Sequence, residues 1–413
     1  MSNHVVRSLA DAQCRPEGLS DADIDAFVSS LFAVGYTPIT VRTKRQIAAS
    51  FAQWTRQKQI AVADLDESHG TTFLTETSRH SKARDAVKGS VLRLLFNYLR
   101  TEGKAPSFVV CKEPSPVADL QERFERHLRR TRGLSEQSVR TYRPFVQNFL
   151  AECIASTGTV ALVSQDVQEF LLKHIPKQPT KTSKIMCTAL RSFLRFLLQS
   201  GQTTVDLSLA VPTVRQWRQA TVHTFLLPED VERVLRACEQ TTAVGRRDHA
   251  VLLLLARLGL RAGEVVALEL GDIQWRTGEI LVRGKGRVLE RLPLLADVGE
   301  ALAGYIHQDR GQSASRQVFL RMRAPRVGLT TQTAVGAIAR RALARAGLYP
   351  SRRGAHLYRH SLATTMIRRG ASMADIGEVL RHRSLETTEI YAKVDFDTLR
   401  PVALPWPVIG GAR

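Results

Sequence analysis

The chain has 413 residues, room for two or three domains, and sets 59 Lys and Arg against 39 Asp and Glu for a net charge of +20. That excess favours a polyanionic partner, nucleic acid first, through counterion release; at 6% aromatic residues, binding mainly by base stacking is disfavoured. Five scattered cysteines without a CxxC pair argue against a disulfide scaffold or zinc ribbon and for a reducing cytosol.

Residues 1–18 read as a tail lacking the apolar stretch of a leader, and VLLLLARLGL at 251–260 is too short to span a membrane. A soluble, cytoplasmic protein is expected. Next comes an internal repeat: VRTK at 41–44 returns as VRTY at 139–142, an offset of 98. The same offset takes Phe51 to Phe149, Leu92-Arg93 to Leu190-Arg191, and Gly103 to Gly201. A register held over this distance predicts duplication of one helical unit. Apolar residues at three- and four-residue steps make both copies amphipathic helices, with Gly103 and Gly201 as stops. The proline-containing stretch 104–120 reads as the link between copies, and 209–225 as a second, basic link.

Beyond residue 226 the pattern changes. Leu227-Pro228-Glu229-Asp230 opens a helix with proline and acids in its first turn, and RRDHAVLLLLARLGL predicts a buried one. GEILVRGKGRVLERLPL, 278–294, carries the one strong β signal, a hairpin with Lys285 between two glycines at its tip. Helical segments continue to about residue 398, before a Pro/Gly-rich tail.

HLYRHSLATTMIRRG, 356–370, places His356 and His360 four apart on one helical face, a spacing that suits zinc. The glutamate of such a site is missing, however, and Arg359 opposes a dication. Phosphate suits the segment better: arginine offers a planar fork to its oxygens, with a histidine one turn away to move a proton. Arg261 follows the buried apolar helix. Lys285 lies at the hairpin tip, and VLRHRSLETTEIYAKV, 379–394, adds His382 and Tyr391. Together these supply a nucleophile, an anion clamp and proton donors, without a carboxylate pair or a metal cluster.

These segments resemble the tyrosine recombinases, the phage-integrase family. The family pattern is G-[LF]-R-x-x-E, a lysine at a hairpin tip, H-x-x-R, L-G-H and a tyrosine. It corresponds here to Gly259-Leu260-Arg261-Ala262-Gly263-Glu264, Lys285, His356-x-x-Arg359, Leu380-Arg381-His382 and Tyr391. The successive separations of 24 from Arg261 to Lys285, 3 within H-x-x-R, 23 to His382 and 9 to Tyr391 match as well. The likeness covers 226–395 strongly, and about 117–208 more loosely. Two departures stand out: the glycine of L-G-H is Arg381, an extra cation near the DNA, and the chain ends in a Pro/Gly tail where many relatives have a docking helix.

The resemblance implies a mainly α fold: a helical catalytic domain with a small antiparallel sheet, preceded by two tandem helical, SAM-like DNA-binding domains. The expected segments are a tail at 1–18, an extra DNA- or partner-binding domain at 19–108, a core-binding clamp at 109–216, the catalytic domain at 217–398 and a tail at 399–413. The implied activity is site-specific cleavage and rejoining of DNA through a 3′-phosphotyrosyl intermediate, in integration, excision or transposition of a mobile element. Tyr391 is the nucleophile, Arg261 and Arg359 clamp the phosphate, and Lys285 protonates the 5′-hydroxyl. His356 is the base or shuttle for Tyr391, His382 donates to phosphate, and Glu264 orients the site. His360 and Ser361 are read as structural.

No cofactor or metal is implied. The expected partner is double-stranded DNA, gripped by the helical repeats opposite the catalytic domain, with nucleoid association. Arg42, Lys44 and Arg45 in the first copy, and Arg140, Arg143, Arg191 and Arg195 in the second, are candidate phosphate contacts, each with a solvated basic face as the alternative. A homo-oligomer, tetrameric in the synaptic complex, or assembly with sister recombinases is implied. Two alternatives stay open: a type IB topoisomerase-like enzyme, and a DNA-binding regulator that has kept the fold without catalysis.

Overall fold

The computed structural model describes residues 18–77, 82–106, 116–153, 162–214, 223–284, 289–382 and 384–394. The expected tail at 399–413 and the hairpin tip with Lys285 lie outside them. The fold is mainly α-helical with one three-stranded antiparallel sheet. Two compact units divide the chain: Met1–Ser107 together with Thr221–Arg413, and Phe108–Ala220.

The first helical bundle comprises α1 (Asp21–Ala33), α2 (Pro38–Gln57), α3 (Glu67–Thr77) and α4 (Lys82–Thr101). Ser20 caps α1 through a reciprocal pair with Asp23, satisfying two backbone donors of its first turn. The second bundle comprises α5 (Pro116–Arg130), α6 (Glu136–Cys153), α7 (Ser164–His174) and α8 (Thr180–Gln199). Shifted by 98 residues, α1 to α4 fall on α5 to α8 with ends agreeing to within three residues. The duplication therefore extends to the tertiary fold. Phe51 and Phe149, equivalent in that register, are both fully buried at the centres of aromatic clusters. Gly103 and Gly201 both take φ of +69°, and the residue after each donates to the carbonyl of Leu99 or Leu197, closing α4 and α8 alike. One expectation shifts: residues 116–120, read as link, belong to α5, because proline is at home in the first turn of a helix.

Residues 226–358 hold a core of their own. Leu227 caps α9 (Pro228–Arg236), with Pro228, Glu229 and Asp230 in its first turn. Helix α10 (Ala243–Arg257) is buried from Ala250 to Ala256 and packs against the helices that follow, so its near-continuous apolar run reflects enclosure on all sides. After α11 (Ala262–Ala267) come β1 (Ile273–Gln274), β2 (Glu279–Arg283) and β3 (Leu289–Pro293). The β2–β3 pair runs in register from Glu279 opposite Pro293 to Arg283 opposite Leu289, with Ile280 and Val282 turned into the core. Four helices follow: α12 (Ala296–Tyr305), α13 (Gln332–Arg345), α14 (His356–Arg368) and α15 (Met373–Val379). The last described residues, Glu389–Val394, form a 3-10 turn. Within the unit formed by Met1–Ser107 and Thr221–Arg413, the Arg326 amide donates to the Val34 carbonyl at 3.0 Å, a link between the first bundle and the C-terminal helices.

Candidate active site

The end of α10 sets the first arginine. Gly259 turns the chain at φ +57°, and a Cβ there would lie 2.8 Å from the Leu380 side chain and 3.0 Å from that of Leu362. Only glycine meets both demands without strain. Arg261 then caps α11. Glu264 accepts from the Arg261 backbone N–H at 2.9 Å and from its guanidinium at 2.7 Å, so one buried carboxylate holds both ends of the residue. A further guanidinium N–H of Arg261 donates to the Arg381 carbonyl at 3.2 Å, while its side chain stays about one-third exposed.

Arg359, in the first turn of α14, is buried. Its guanidinium donates to the Gly259 carbonyl at 2.6 Å and to the Leu380 carbonyl, tying the α10–α11 turn to the end of α15. Burial, with Arg261 and Arg381 nearby, pushes its pKa down to about 10, which leaves it charged at neutral pH. Arg381 occupies the left-handed region at φ +56° and is itself buried; its guanidinium donates to Glu264 at 2.9 Å and lies 3.3 Å from Glu290 of β3.

His382 follows, with Nδ1 2.8 Å from the Thr388 hydroxyl. Burial and the three guanidiniums push its pKa down to about 4, so the ring is neutral near pH 7. When Thr388 donates to Nδ1, the ring proton sits on Nε2 as a free donor. Tyr391 lies parallel to His382 with ring centroids 6.3 Å apart. It is 1% exposed, and burial pushes its hydroxyl up to about 12 despite the opposing pull of Arg359 and Arg261.

The hydrogen-bond partner of the Tyr391 hydroxyl is His360, whose Nδ1 is 2.9 Å away. Burial, with His223 and His356 next in effect, pushes His360 down to about 3, so it is a neutral imidazole able to accept the phenolic proton. His223 packs edge-on against it at 4.6 Å between centroids. His356, expected as the base, is exposed at the head of α14, its ring 6.3 Å from that of His360. His360, read as structural, is the residue that meets the Tyr391 hydroxyl. Its placement one turn beyond His356 was the available signal, but which of the two meets Tyr391 depends on a segment 31 residues away. Ser361 does serve the fold, accepting from the Leu226 amide at 2.8 Å.

Arg261, Glu264, Arg359, His382 and Tyr391 are thus brought together, with Arg381 and His360 added to them. Lys285 lies outside the described residues; Arg283, two positions before it, is held by Asp272. Among the described residues no group of three His, Cys, Asp or Glu side chains could hold a metal ion.

The candidate phosphate contacts of the helical bundles separate into two kinds. Arg143 forms a fork-on-fork pair with Glu125 at 2.6 Å on both arms, Arg191 donates to the Val211 and Pro212 carbonyls, Arg195 to Ser208, and Arg45 to Asp25. All four have partners within their own bundle, although Arg45 and Asp25 are both more than half exposed. Lys44 sits 4.9 Å over the Tyr36 ring, Arg140 is 3.7 Å from Glu136 with most of its side chain in solvent, and Arg42 is exposed on α2.

Comparison with known proteins accords with this geometry. The Phage integrase family model matches residues 224–398, and that of the phage integrase N-terminal SAM-like domain matches 122–201. The putative integrase/recombinase y4rA of Sinorhizobium fredii is 42% identical over 95% of this chain and 96% of its own length. The tyrosine recombinase XerC of Anoxybacillus flavithermus is 30% identical over 68% of this chain and 95% of its own. In fold, the chain resembles a XerH site-specific recombinase bound to palindromic difH substrate, with a TM-score of 0.54 and 21% identity over 71% of this chain and 88% of that one. A lambda integrase dimer bound to a COC′ core site follows at 0.51 and 16%, over 71% and 99%. By its similarity to y4rA along nearly its whole length and by the match of residues 224–398, the chain belongs to the phage integrase family, the tyrosine recombinases.

Proposed function

We propose that this protein is a site-specific DNA recombinase that breaks and rejoins DNA strands through Tyr391. The observation that carries this reading is the Tyr391 hydroxyl 2.9 Å from a neutral His360, with Arg261 and Arg359 near enough for their charge to act on the phenol. In the forward step the Tyr391 oxygen attacks the scissile phosphorus and its proton passes to His360. The bond from phosphorus to the 5′ oxygen breaks, leaving a 3′-phosphotyrosyl ester and a 5′-hydroxyl protonated by Lys285. The ester conserves the bond energy, so rejoining by a 5′-hydroxyl needs no nucleotide cofactor. Arg261 and Arg359, with His382, stabilise the charge that develops on the non-bridging oxygens. His356 works from the solvent side as a donor to the phosphate, and Glu264 holds Arg261 in place.

The reading assigns 217–398 as the catalytic domain, 109–216 as the clamp on duplex DNA, and 19–108 as an additional DNA- or partner-binding domain. Separate apolar cores within residues 19–105, 120–211 and 226–358, with a smaller cluster around Tyr391, support that division. Double-stranded DNA is the partner, with Arg140, Arg42 and Lys44 as the phosphate contacts least engaged within the chain. The working assembly is a homo-oligomer on paired sites, a tetramer or one completed by sister recombinases, at the nucleoid. Among the described residues no helix is long and apolar enough to cross a membrane.

The test is a trap. Wild type and Tyr391→Phe are incubated with DNA flanking the protein's own gene and quenched with SDS, and DNA left on protein is sequenced. An adduct in wild type alone, mapped to Tyr391, supports the reading and identifies the site. An adduct that survives in Tyr391→Phe would overturn the mechanism, and DNA binding without an adduct in either would favour a regulator.

A further inference from the structure

Arg381 stands where the family pattern has glycine, and it pays for that place in backbone conformation. At φ +56° a side chain crowds its own carbonyl, so a non-glycine residue persists there only where its surroundings hold it. Its guanidinium is also buried, with the side chain 4% exposed. Two unfavourable features at one residue, beside the site, call for a compensating role.

The contacts supply one. The Arg381 guanidinium donates to Glu264 Oε2 at 2.9 Å, and Glu264 Oε1 in turn accepts from the Arg261 guanidinium at 2.7 Å. The Arg381 carbonyl accepts a second Arg261 N–H at 3.2 Å. Arg261 is therefore held by Arg381 twice, directly through the backbone and indirectly through the shared carboxylate. On its other side Arg381 Nε lies 3.3 Å from Glu290 Oε2 of β3. Nε and Nη1 of Arg381 are buried and make no hydrogen bond among the described residues. The guanidiniums of Arg261 and Arg381 thus share Glu264, with Glu290 beside the second; Arg359, near enough for Glu264 to act on its charge, leaves the cluster one positive charge in surplus, which suits a phosphodiester.

We propose that Arg381 is a positioning residue: it fixes the Arg261 fork through Glu264 and braces that pair against Glu290 on β3. The inference rests on the recombinase reading above and deepens it. A glycine at this position leaves Glu264 one partner fewer and Arg261 without the brace to β3, so the clamp arm becomes free to sample other rotamers.

The test uses full-length protein on the DNA site recovered by trapping. Single-turnover rates of adduct formation and DNA affinity are measured for wild type, Arg381→Gly, Arg381→Lys, Glu264→Gln and the Arg381→Gly/Glu264→Gln pair. Arg381→Gly suits the left-handed backbone. Its rate is expected to fall about 10- to 100-fold, the range for loss of an orienting partner, with affinity within about threefold. The paired variant is expected to be little slower than Glu264→Gln alone, because both changes loosen the same arginine. A rate for Arg381→Gly within threefold of wild type, or losses that multiply in the pair, would overturn the proposal. Should Arg381→Gly fail to fold, Arg381→Lys decides, since a point charge lacks the fork, and an unchanged rate there would overturn it too. Absence of any adduct from wild type would instead sink the recombinase reading, and this inference with it.

Discussion

The hydroxyl of Tyr391 and Nδ1 of His360 are 2.9 Å apart, joining the last described turn of the chain to the first turns of α14. With the tyrosine pushed up to about 12 and the histidine down to about 3, the phenol holds the proton at rest; in the mechanism proposed above the imidazole accepts it as the oxygen attacks. His360→Asn is expected to slow adduct formation by ~10²–10⁴, as for loss of a general base, and His356→Asn by less. Single-turnover trapping checks this; the reverse order would give the base role to His356.

The pH dependence follows from the same burial. His360 and His382 sit at about 3 and about 4 against an ordinary 6.5, so both stay neutral as pH falls from 8 to 5. No inflection near 6.5 from these two rings is expected in the cleavage rate. Stability behaves otherwise: the unfolded chain binds protons below about 6.5 that the fold refuses, so the stabilisation is complete above that pH and is lost as pH falls toward 4 and 3. Thermal unfolding at pH 8 and pH 5 should show a smaller acid loss for His360→Asn than for wild type.

The two clamp arginines are expected to part in stability. Arg261 is about one-third exposed, and Arg261→Ala should cost about 10²–10³ in rate, as for loss of an oxyanion donor. Arg359→Ala should slow the reaction comparably, and it also orphans the buried carbonyls of Gly259 and Leu380. That loss should destabilise the fold by about 2–3 kcal/mol. Urea unfolding of both variants beside their trapping rates makes the comparison.

Gly259→Ala tests the turn that aims Arg261. The added Cβ meets Leu380 at 2.8 Å and Leu362 at 3.0 Å, on a backbone at φ +57°. Overpacking and backbone strain together predict a loss of about 2–4 kcal/mol, read by urea unfolding, with adduct formation slowed by displacement of Arg261.

Much of this protein could be read from local pattern. Helical periodicity and a fixed 98-residue register foretold two copies of one helical unit, since each amphipathic stripe is written in its own segment and the duplication copied it whole; the four helices of each copy came from the fold. The hairpin, the enclosed α10 and the ordered spacing from Arg261 to Tyr391 were legible for the same reason: each depends on neighbours in sequence. Partnerships between distant side chains were not. That Arg143, Arg191 and Arg195 reach Glu125, the carbonyls of Val211 and Pro212, and Ser208 is not written in any local pattern. That His360 meets Tyr391, and that Arg381 braces Arg261 through Glu264, was decided only when α14, α15 and the final turn packed over the end of α10. A hydrogen bond needs its two atoms within about 3 Å, and that proximity is set by the folding of whole segments against one another.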